Sequence, residues 1–593
     1  MSVFMFGFTK NGQQSKVKSV FTTGKNEEGG DKMSNEEKQN GLSRRTFIKG
    51  AAVSSVMLGS AGALIGCGKE EEAPAPKEPN TESAIPSFLK KPDAIPDADI
   101  KQTVAADVVV IGAGMSGLCA AMAAAEEGAK VVLLEKTDRV HFRGNDYGAI
   151  GSKMQKQINN EINKMEAVQE IMRYNAYKAN QRVVSLWADN SGMVADWIMG
   201  KAEGYGCKPK PVPLDETVTP GTTIKGFPTL SFRMDPSEAA INDAPKGTDP
   251  WTASMRYALK KGCEDAGVQF HYKMPAVQLV RQDKGRVTAV IAGEKGNYTK
   301  FEGKKGIIVC SGDYNANKEM REYYIPSTKY IDANMYEMVD GKQNTGDGQL
   351  MGMWVGAAID EFPHAPMYFD FAVPGAPILA DALMRQPWLN VNVRGFRYCN
   401  EELPYAYLCN AERQQPEQAR WAIWDAKWPE EAPSFKLVAC KDMRTNFHNP
   451  ESVKAYVEKG YIRSADTLEA LADMIKVPKD NFMKTVARYN ELAKLGEDID
   501  YGKRAACLTT IEKPTFYAAP LGTALLVTLG GLQVNEQLQV LDEEKSVIPG
   551  LYAAGNASGS YYSNDYCVNL PGNSHGRAYT FGYLAGKNIV KLG

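Results

Sequence analysis

From Asp107 to Lys136 the chain reads DVVVIGAGMSGLCAAMAAAEEGAKVVLLEK, a stretch that leaves little choice of local fold. Val108 to Ile111 is an unbroken apolar run, the pattern of a strand buried on both faces of a parallel sheet. It enters Gly112-x-Gly114-x-x-Gly117, an Ala-rich helix follows, and a second apolar strand from Lys130 to Leu134 ends in Glu135. Gly112 permits the tight turn and Gly114 lets the backbone approach a pyrophosphate. Gly117 lets the helix close on the sheet, and the first-turn backbone of Ala113, Met115 and Ser116 faces the phosphates. Glu135, followed by Lys136, stands where a carboxylate accepts both ribose hydroxyls and repels a 2′-phosphate. A glycine-rich turn alone would say little. Strand, turn, helix, strand and acid in this order specify a dinucleotide-binding α/β unit.

A length of 593 residues corresponds to about two to four domains. A net charge of −2 gives no reason to expect a nucleic-acid partner. Only the stretch before Ala105 departs from globular composition. Ser43-Arg44-Arg45-Thr46-Phe47-Ile48-Lys49 precedes an uncharged small-residue run from Gly50 to Gly66, which ends in Leu64-Ile65-Gly66-Cys67. Paired arginines before a weakly hydrophobic segment resemble the twin-arginine export signal, and Leu-Ile-Gly-Cys resembles a bacterial lipoprotein cleavage box. A transmembrane anchor is the alternative, but so many Ala, Ser and Gly make a poor span. The expectation is a bacterial, extracytoplasmic protein lipid-anchored at Cys67, with Met33 as a second candidate start. Residues 1–67 form the signal region and 68–104 a flexible linker rich in Glu, Pro and Ala.

With Cys67 set aside, Cys119, Cys207, Cys263, Cys310, Cys399, Cys409, Cys440, Cys507 and Cys567 form no CxxC pair and no CxxCH site. That argues against a covalent c-type haem or a simple zinc site and leaves any disulfide pairing open.

Further stretches resemble the fumarate reductase, urocanate reductase and 3-ketosteroid dehydrogenase group of FAD enzymes, from about Ala105 to the C-terminus. They begin with Gly285-Arg286-Val287 in a hairpin-like region and the run Lys304 to Gly312, a buried strand ending in a small-residue turn. Asn344-Thr345-Gly346-Asp347-Gly348 follows, then Pro549-Gly550-Leu551-Tyr552-Ala553-Ala554-Gly555-Asn556, Pro571-Gly572-Asn573 and Thr580-Phe581-Gly582. The resemblance implies an α/β fold, an FAD-binding Rossmann-like domain of the glutathione-reductase type interrupted by an α+β capping domain. Its bounds are 105–358 and 506–593 for the FAD-binding parts and 359–505 for the cap, with helices at Ser464 to Met474 and Lys479 to Leu495. FAD is the implied cofactor. Gly312, Asp347, Gly555, Asn556 and Asn573 would hold it, together with Gly144 and Asn145 after the second strand. The helix after Asn573 would point its N-terminus at the flavin. The group usually has Glu where this chain has Asn556.

Gly395-Phe396-Arg397-Tyr398-Cys399-Asn400-Glu401 matches the group's G-x-R-[FY]-x-N-E hairpin. Fumarate reductases place a proton-delivering arginine five residues after the Asn; this chain has Tyr405, and Asn-Glu-x-x-Pro-Tyr resembles the ketosteroid dehydrogenases. A phenol, with its ordinary pKa near 10, can protonate an alkene carbon as hydride reaches its neighbour; a tyrosine that only packs on substrate is the alternative. Arg385, with Asp381, falls within one residue of the group's acid and arginine for proton relay. Gly572 offers a backbone N–H to a substrate carbonyl. Leu526 and Asn569 stand where fumarate reductases keep the dicarboxylate's imidazole and guanidinium, which argues against fumarate. Met367, Tyr368, Phe369, Tyr561, Tyr562 and Tyr566 stand in two loops expected to face the flavin. Tyr368, Tyr562, Tyr566 and Asn569 are the expected substrate contacts, for an apolar or phenolic substrate.

The reading is an exported FAD-dependent oxidoreductase acting on CH–CH groups, reducing a C=C bond conjugated to a carbonyl or aromatic system, with electrons from a membrane partner. Run oxidatively, the same site is a 3-ketosteroid-type dehydrogenase; a fumarate- or urocanate-type reductase is another alternative. A flavin electron carrier without organic substrate is the rival from another class. The cap and the hairpin argue against it.

Overall fold

The computed structural model describes residues 86–141, 144, 146–214, 225–246, 248–330, 333–334, 343–372, 386–435 and 450–593. The signal region, Cys67, Asn145, Asp381 and Arg385 lie outside the described residues. The linker expected to run to residue 104 is, from residue 86 onward, part of the fold. Phe88 is buried against Tyr324, the Ile95 N–H donates to Gln278 Oε1, and the first strand already begins at Ile100.

The fingerprint folds as its pattern dictates: strand β1 (Ile100–Ile111), helix α1 (Met115–Glu126) and strand β2 (Val131–Leu134). Strands β3 (Gln269–His271), β4 (Ala276–Arg281), β5 (Val287–Glu294) and β6 (Asn297–Val309) follow, then helix α2 (Asp347–Trp354). The middle of the chain supplies β7 (Pro366–Ala372), β8 (Leu389–Asn392), α3 (Tyr405–Glu412), β9 (Arg420–Asp425), α4 (Leu468–Ile475), α5 (Lys479–Leu495) and β10 (Phe516–Thr528). The chain closes with β11 (Gln539–Leu541), β12 (Val547–Ala553) and α6 (Asn573–Leu592).

These strands form an eight-stranded sheet in the order β11-β12-β6-β1-β2-β3, with the hairpin β4-β5 attached to β6. Pairing is parallel from β12 through β3, and Val108 to Ile111 are buried on both faces as an all-apolar run requires. Residues Met115 to Ala124 of α1 are all buried, because the helix lies between the sheet and α6. Small residues make this possible. A Cβ on Gly582 would meet Ser116 O at 2.2 Å, and one on Gly586 would meet Ala120 O at 2.3 Å.

A six-stranded sheet carries β8, β9 and β10 side by side, with β7, Ala333–Asn334 and Arg463–Ala465 also on β10. Leu471, Ala472 and Ile475 of α4 and Phe482 and Val486 of α5 bury against Leu389, Val391, Ile423 and Phe516 of this sheet. The sheet therefore reaches beyond the expected capping bounds of 359 and 505, since β10 is the strand on which most of its other strands pair. The helix expected at Ser464 to Met474 begins only at Leu468. Ser464 is in a strand, and Thr467 caps the helix by accepting from the Ala470 N–H.

Candidate functional site

Register places Ile111 beside Val309, and Val309 beside Ala553, so three adjacent parallel strands end level. The loops leaving these ends are Gly112–Gly114, Cys310–Gly312 and Ala554–Asn556, at the edge where open α/β sheets bind ligands. Gly112 has φ +101°, and a Cβ there would meet Cys310 O at 2.6 Å. A Cβ on Gly117 would meet Gly112 O at 1.8 Å, whereas one on Gly114 finds nothing among the described residues nearer than His141 O at 3.8 Å. The space over Gly114 is therefore open to a close-lying group, and the first N–H groups of α1 have no partner within the helix.

The buried Glu135 carboxylate accepts from the Ala113 N–H and the Thr137 N–H, each at 2.9 Å, which fixes it beside the glycine turn. Lys136 donates to Thr345 Oγ1 at 2.6 Å and Asp347 Oδ2 at 3.0 Å, joining two motifs that lie far apart in sequence. Gly144 lies against His575 of α6, and Gly312, at φ +80°, lies against Asn344.

Sequence reasoning missed two polar groups here. Gln349 of α2, fully buried, donates to Gly312 O at 2.9 Å and Asn556 O at 3.3 Å, yet its Oε1 has no partner among the described residues. Ser311 Oγ, in the loop after β6, is likewise buried and without a partner among the described residues. Buried acceptors and hydroxyls are rarely left so, and both belong to the loops and helix around the three strand ends. The open face of Gly114, the fixed Glu135 and these two orphans fit a dinucleotide such as FAD. Two positions after Asp347, a polar side chain on the buried face of α2 was the signal available for Gln349.

At the other end of the site, Gly572 adopts φ +73° as N-cap of α6, and its carbonyl accepts from the Gly148 N–H at 3.0 Å. Asn573 is clamped: Tyr562 OH donates to its Oδ1, and its Nδ2 donates to Tyr561 OH at 2.8 Å. Tyr566 OH accepts from the Ser574 N–H at 3.4 Å. The loop tyrosines thus hold the first turn of α6 with their hydroxyls and offer ring faces elsewhere. Burial pushes the Tyr562 phenol far above its ordinary value. Asn556 Oδ1 accepts from Arg577, a residue sequence reasoning passed over.

The hairpin motif proves to be a clamp. Arg397 forms a bidentate pair with Glu401 at 2.8 Å and also binds Asp498, while Lys503 reaches Glu401 at 3.3 Å. Such buried, fully paired charges fix the chain that leads into α3, whose first residue is Tyr405. Tyr405 is 2% exposed and stacks on Phe369 of β7, ring centres 4.5 Å apart. Met367, Phe369, Tyr405, Tyr561, Tyr562 and Tyr566 belong to one continuous cluster.

Two expected substrate contacts are placed otherwise. Tyr368 packs with Cys409 and Leu525 in a separate cluster, its hydroxyl 2.6 Å from Ser327 Oγ. Alternate residues of a strand face opposite sides, so Met367 and Phe369 join Tyr405 and Tyr368 does not. Asn569 is fully buried and already bonded. It donates to Glu170 Oε1 at 2.7 Å and Lys225 O at 2.8 Å, and accepts from Cys567 Sγ. It ties the tyrosine loop to neighbouring elements.

Residues 107–574 match the family described as FAD binding domain. The chain is 26% identical over 505 residues to a vinyl phenol reductase of Lactiplantibacillus plantarum, covering 82% of this chain and 96% of the relative. It is 25% identical over 571 residues to a 3-oxosteroid 1-dehydrogenase of Mycolicibacterium smegmatis, covering 82% and 97%. The fold is shared with the open conformation of a flavocytochrome c3 fumarate reductase, with a TM-score of 0.62 at 24% identity over 84% of this chain and 79% of that one.

Proposed function

Because the chain belongs to the FAD binding domain family, we propose that it is an FAD-dependent reductase that saturates a C=C bond conjugated to a carbonyl or aromatic system. Its substrate is apolar or phenolic rather than a dicarboxylate. The observation that carries this reading is the Tyr405–Phe369 stack, inside a cluster with Met367, Tyr561, Tyr562 and Tyr566. Leu526 and Asn569 occupy the positions where a dicarboxylate would need cationic partners, and Asn569 is already committed to Glu170 and Lys225. The relatives whose names specify a vinyl phenol and a 3-oxosteroid support the same substrate chemistry.

FAD, when bound, supplies the hydride at flavin N5, held by the fingerprint glycines, Glu135, the Lys136–Asp347 pair, Gly312 and the Gly555–Asn556 turn. Tyr405 delivers the proton to the neighbouring carbon from a position fixed by Phe369 and by the Arg397–Glu401 clamp. The Gly572 N–H polarises the substrate carbonyl or phenol, and the amino end of α6 favours the negative charge that develops beside it. The surrounding rings exclude water from the transfer.

The test is anaerobic oxidation of reduced viologen by a panel of a vinyl phenol, an enone, a cinnamate, a steroid enone and fumarate. Turnover of the first members without fumarate is expected, and turnover of fumarate alone would end the proposal. The Asn-Glu-x-x-Pro-Tyr segment favours a second reading, oxidation of a saturated ketone, which a dye-coupled assay with a 3-oxosteroid separates. Export through the twin-arginine route, lipidation at Cys67 and a membrane electron donor complete the proposal. Release of Cys67→Ser from the membrane fraction tests the anchor.

A further inference from the structure

One turn into α6 lies a group with no part in the reaction as drawn. Arg577 is fully buried. Its Nη2 donates to Asn556 Oδ1 at 2.6 Å and its Nη1 to Ser558 O at 3.4 Å, while Nε has no partner among the described residues. The guanidinium carbon lies 5.4, 5.1 and 6.0 Å from the ring centres of Tyr561, Tyr562 and Phe581. Arg397 and Arg420, also buried, each pair with two carboxylates. Arg577 has none within ion-pair distance among the described residues. Burial holds its pKa below the ordinary guanidinium value, with Tyr562, Tyr561 and, from beyond ion-pair distance, Asp360 pulling the other way.

Among the described residues, the one side chain that receives it is a neutral amide, Asn556, at the strand-end edge of the sheet. Asn556 follows Gly555, where an added Cβ would meet Ser116 Oγ of α1 at 2.5 Å, and its carbonyl is held by Gln349. A carboxylate at 556 would neutralise the guanidinium; the amide accepts its hydrogen bond and leaves its charge. Aromatic faces stabilise a cation without cancelling its field, and a buried field is weakly screened.

We propose that Arg577 is a positioning residue that, hydrogen-bonded to a neutral Asn556 rather than to a carboxylate, keeps a positive charge beside the flavin and thereby raises the flavin's reduction potential. Reduction adds negative charge to the flavin, so a fixed cation favours the reduced form.

The test measures the midpoint potential of the full, FAD-loaded chain by anaerobic equilibration with an indicator dye. Arg577→Met is expected to lower the equilibrium constant for two-electron reduction at least tenfold, about 30 mV per decade. Arg577→Lys, which keeps the charge, stays within about threefold of the parent. Asn556→Asp sets a carboxylate against the intact guanidinium, so it lowers the potential as Arg577→Met does without opening a cavity. It decides the matter where Arg577→Met fails to take up FAD. A potential within twofold of the parent in Asn556→Asp overturns the proposal. So does a fall in Arg577→Lys equal to that in Arg577→Met. Loss of thermal stability with an unmoved potential assigns Arg577 to packing alone.

Discussion

The two ends of the site are built from different materials. Around β1 and α1 the work is done by backbone, and side chains are mostly absent. Gly112 and Gly117 leave no room for a Cβ, while Gly114 leaves room that a cofactor could take. Around α3, β7 and the loop from Tyr561 to Tyr566 the work is done by side chains, stacked and hydrogen-bonded to one another. A backbone requirement selects one residue type and so is written openly in sequence. A side-chain requirement can be met for packing or for substrate, and the letter is the same.

The largest effect comes from the backbone end. Gly117→Ala drives a Cβ into Gly112 O, at 1.8 Å on the present backbone, so little soluble, FAD-loaded protein is expected. Gly114→Ala has its nearest neighbour at 3.8 Å, so the FAD-free protein keeps its melting temperature while FAD affinity falls about tenfold or more. Expression yield, bound-flavin absorbance and thermal denaturation of the FAD-free forms decide it. Equal damage in both variants would mean that Gly114 serves packing, and the contrast within the fingerprint would fail.

At the side-chain end, Tyr405→Phe and Asn569→Ala should part company. Removing the Tyr405 hydroxyl leaves the stack on Phe369, so kcat falls by about 10²–10⁴ with little change in stability. Asn569→Ala strands the Lys225 carbonyl and takes one hydrogen bond from Glu170, which keeps Arg173, so it costs about 1–3 kcal/mol of stability and moves kcat by less than about twofold. Steady-state kinetics beside denaturant titration separates the two. Full activity in Tyr405→Phe removes the proton-donor role, and a large kcat loss in stable Asn569→Ala returns that residue to the substrate.

What the sequence disclosed follows the same division. The order strand, glycine turn, helix, strand, acid stands in the fold at residues 100–135, because each step is a local steric demand. The splitting of the cofactor fold was legible from the Ala-Ala-Gly strand end, which pairs with β6 although it lies far along the chain. The extent of the second sheet was not legible, since β10 joins it only through pairing with distant strands. Tyr368 was misplaced because sequence gives the loop and not the side of the strand. Gln349 and Arg577 were missed because a buried polar residue becomes conspicuous only when its partners, or their absence, are known. The hairpin from Gly395 to Glu401 was legible as a motif but its role was not; the bidentate Arg397–Glu401 geometry shows a clamp that positions Tyr405's helix.

The smallest effect concerns how dry the side-chain end is. Asp565 lies in the tyrosine loop with its carboxylate accepting from the Tyr566 N–H and from Asn410, each within 2.9 Å. Burial raises its pKa to about 6, with those bonds and Arg413 pulling the other way. An unfolded aspartate titrates near 4, so between about pH 4 and 6 the folded chain holds a proton that the unfolded chain has lost. The stability from this group is therefore full below about pH 4 and is lost as pH rises through 6. Asp565→Asn lacks that slope. Over this window the melting temperature of the parent should fall relative to the variant by about a degree or two, a small shift for so long a chain. Parallel curves would mean that water reaches Asp565, and the closing end would then be wetter than the stacked tyrosines beside it imply. An opposite slope would mean that Arg413 dominates over burial and holds the carboxylate charged.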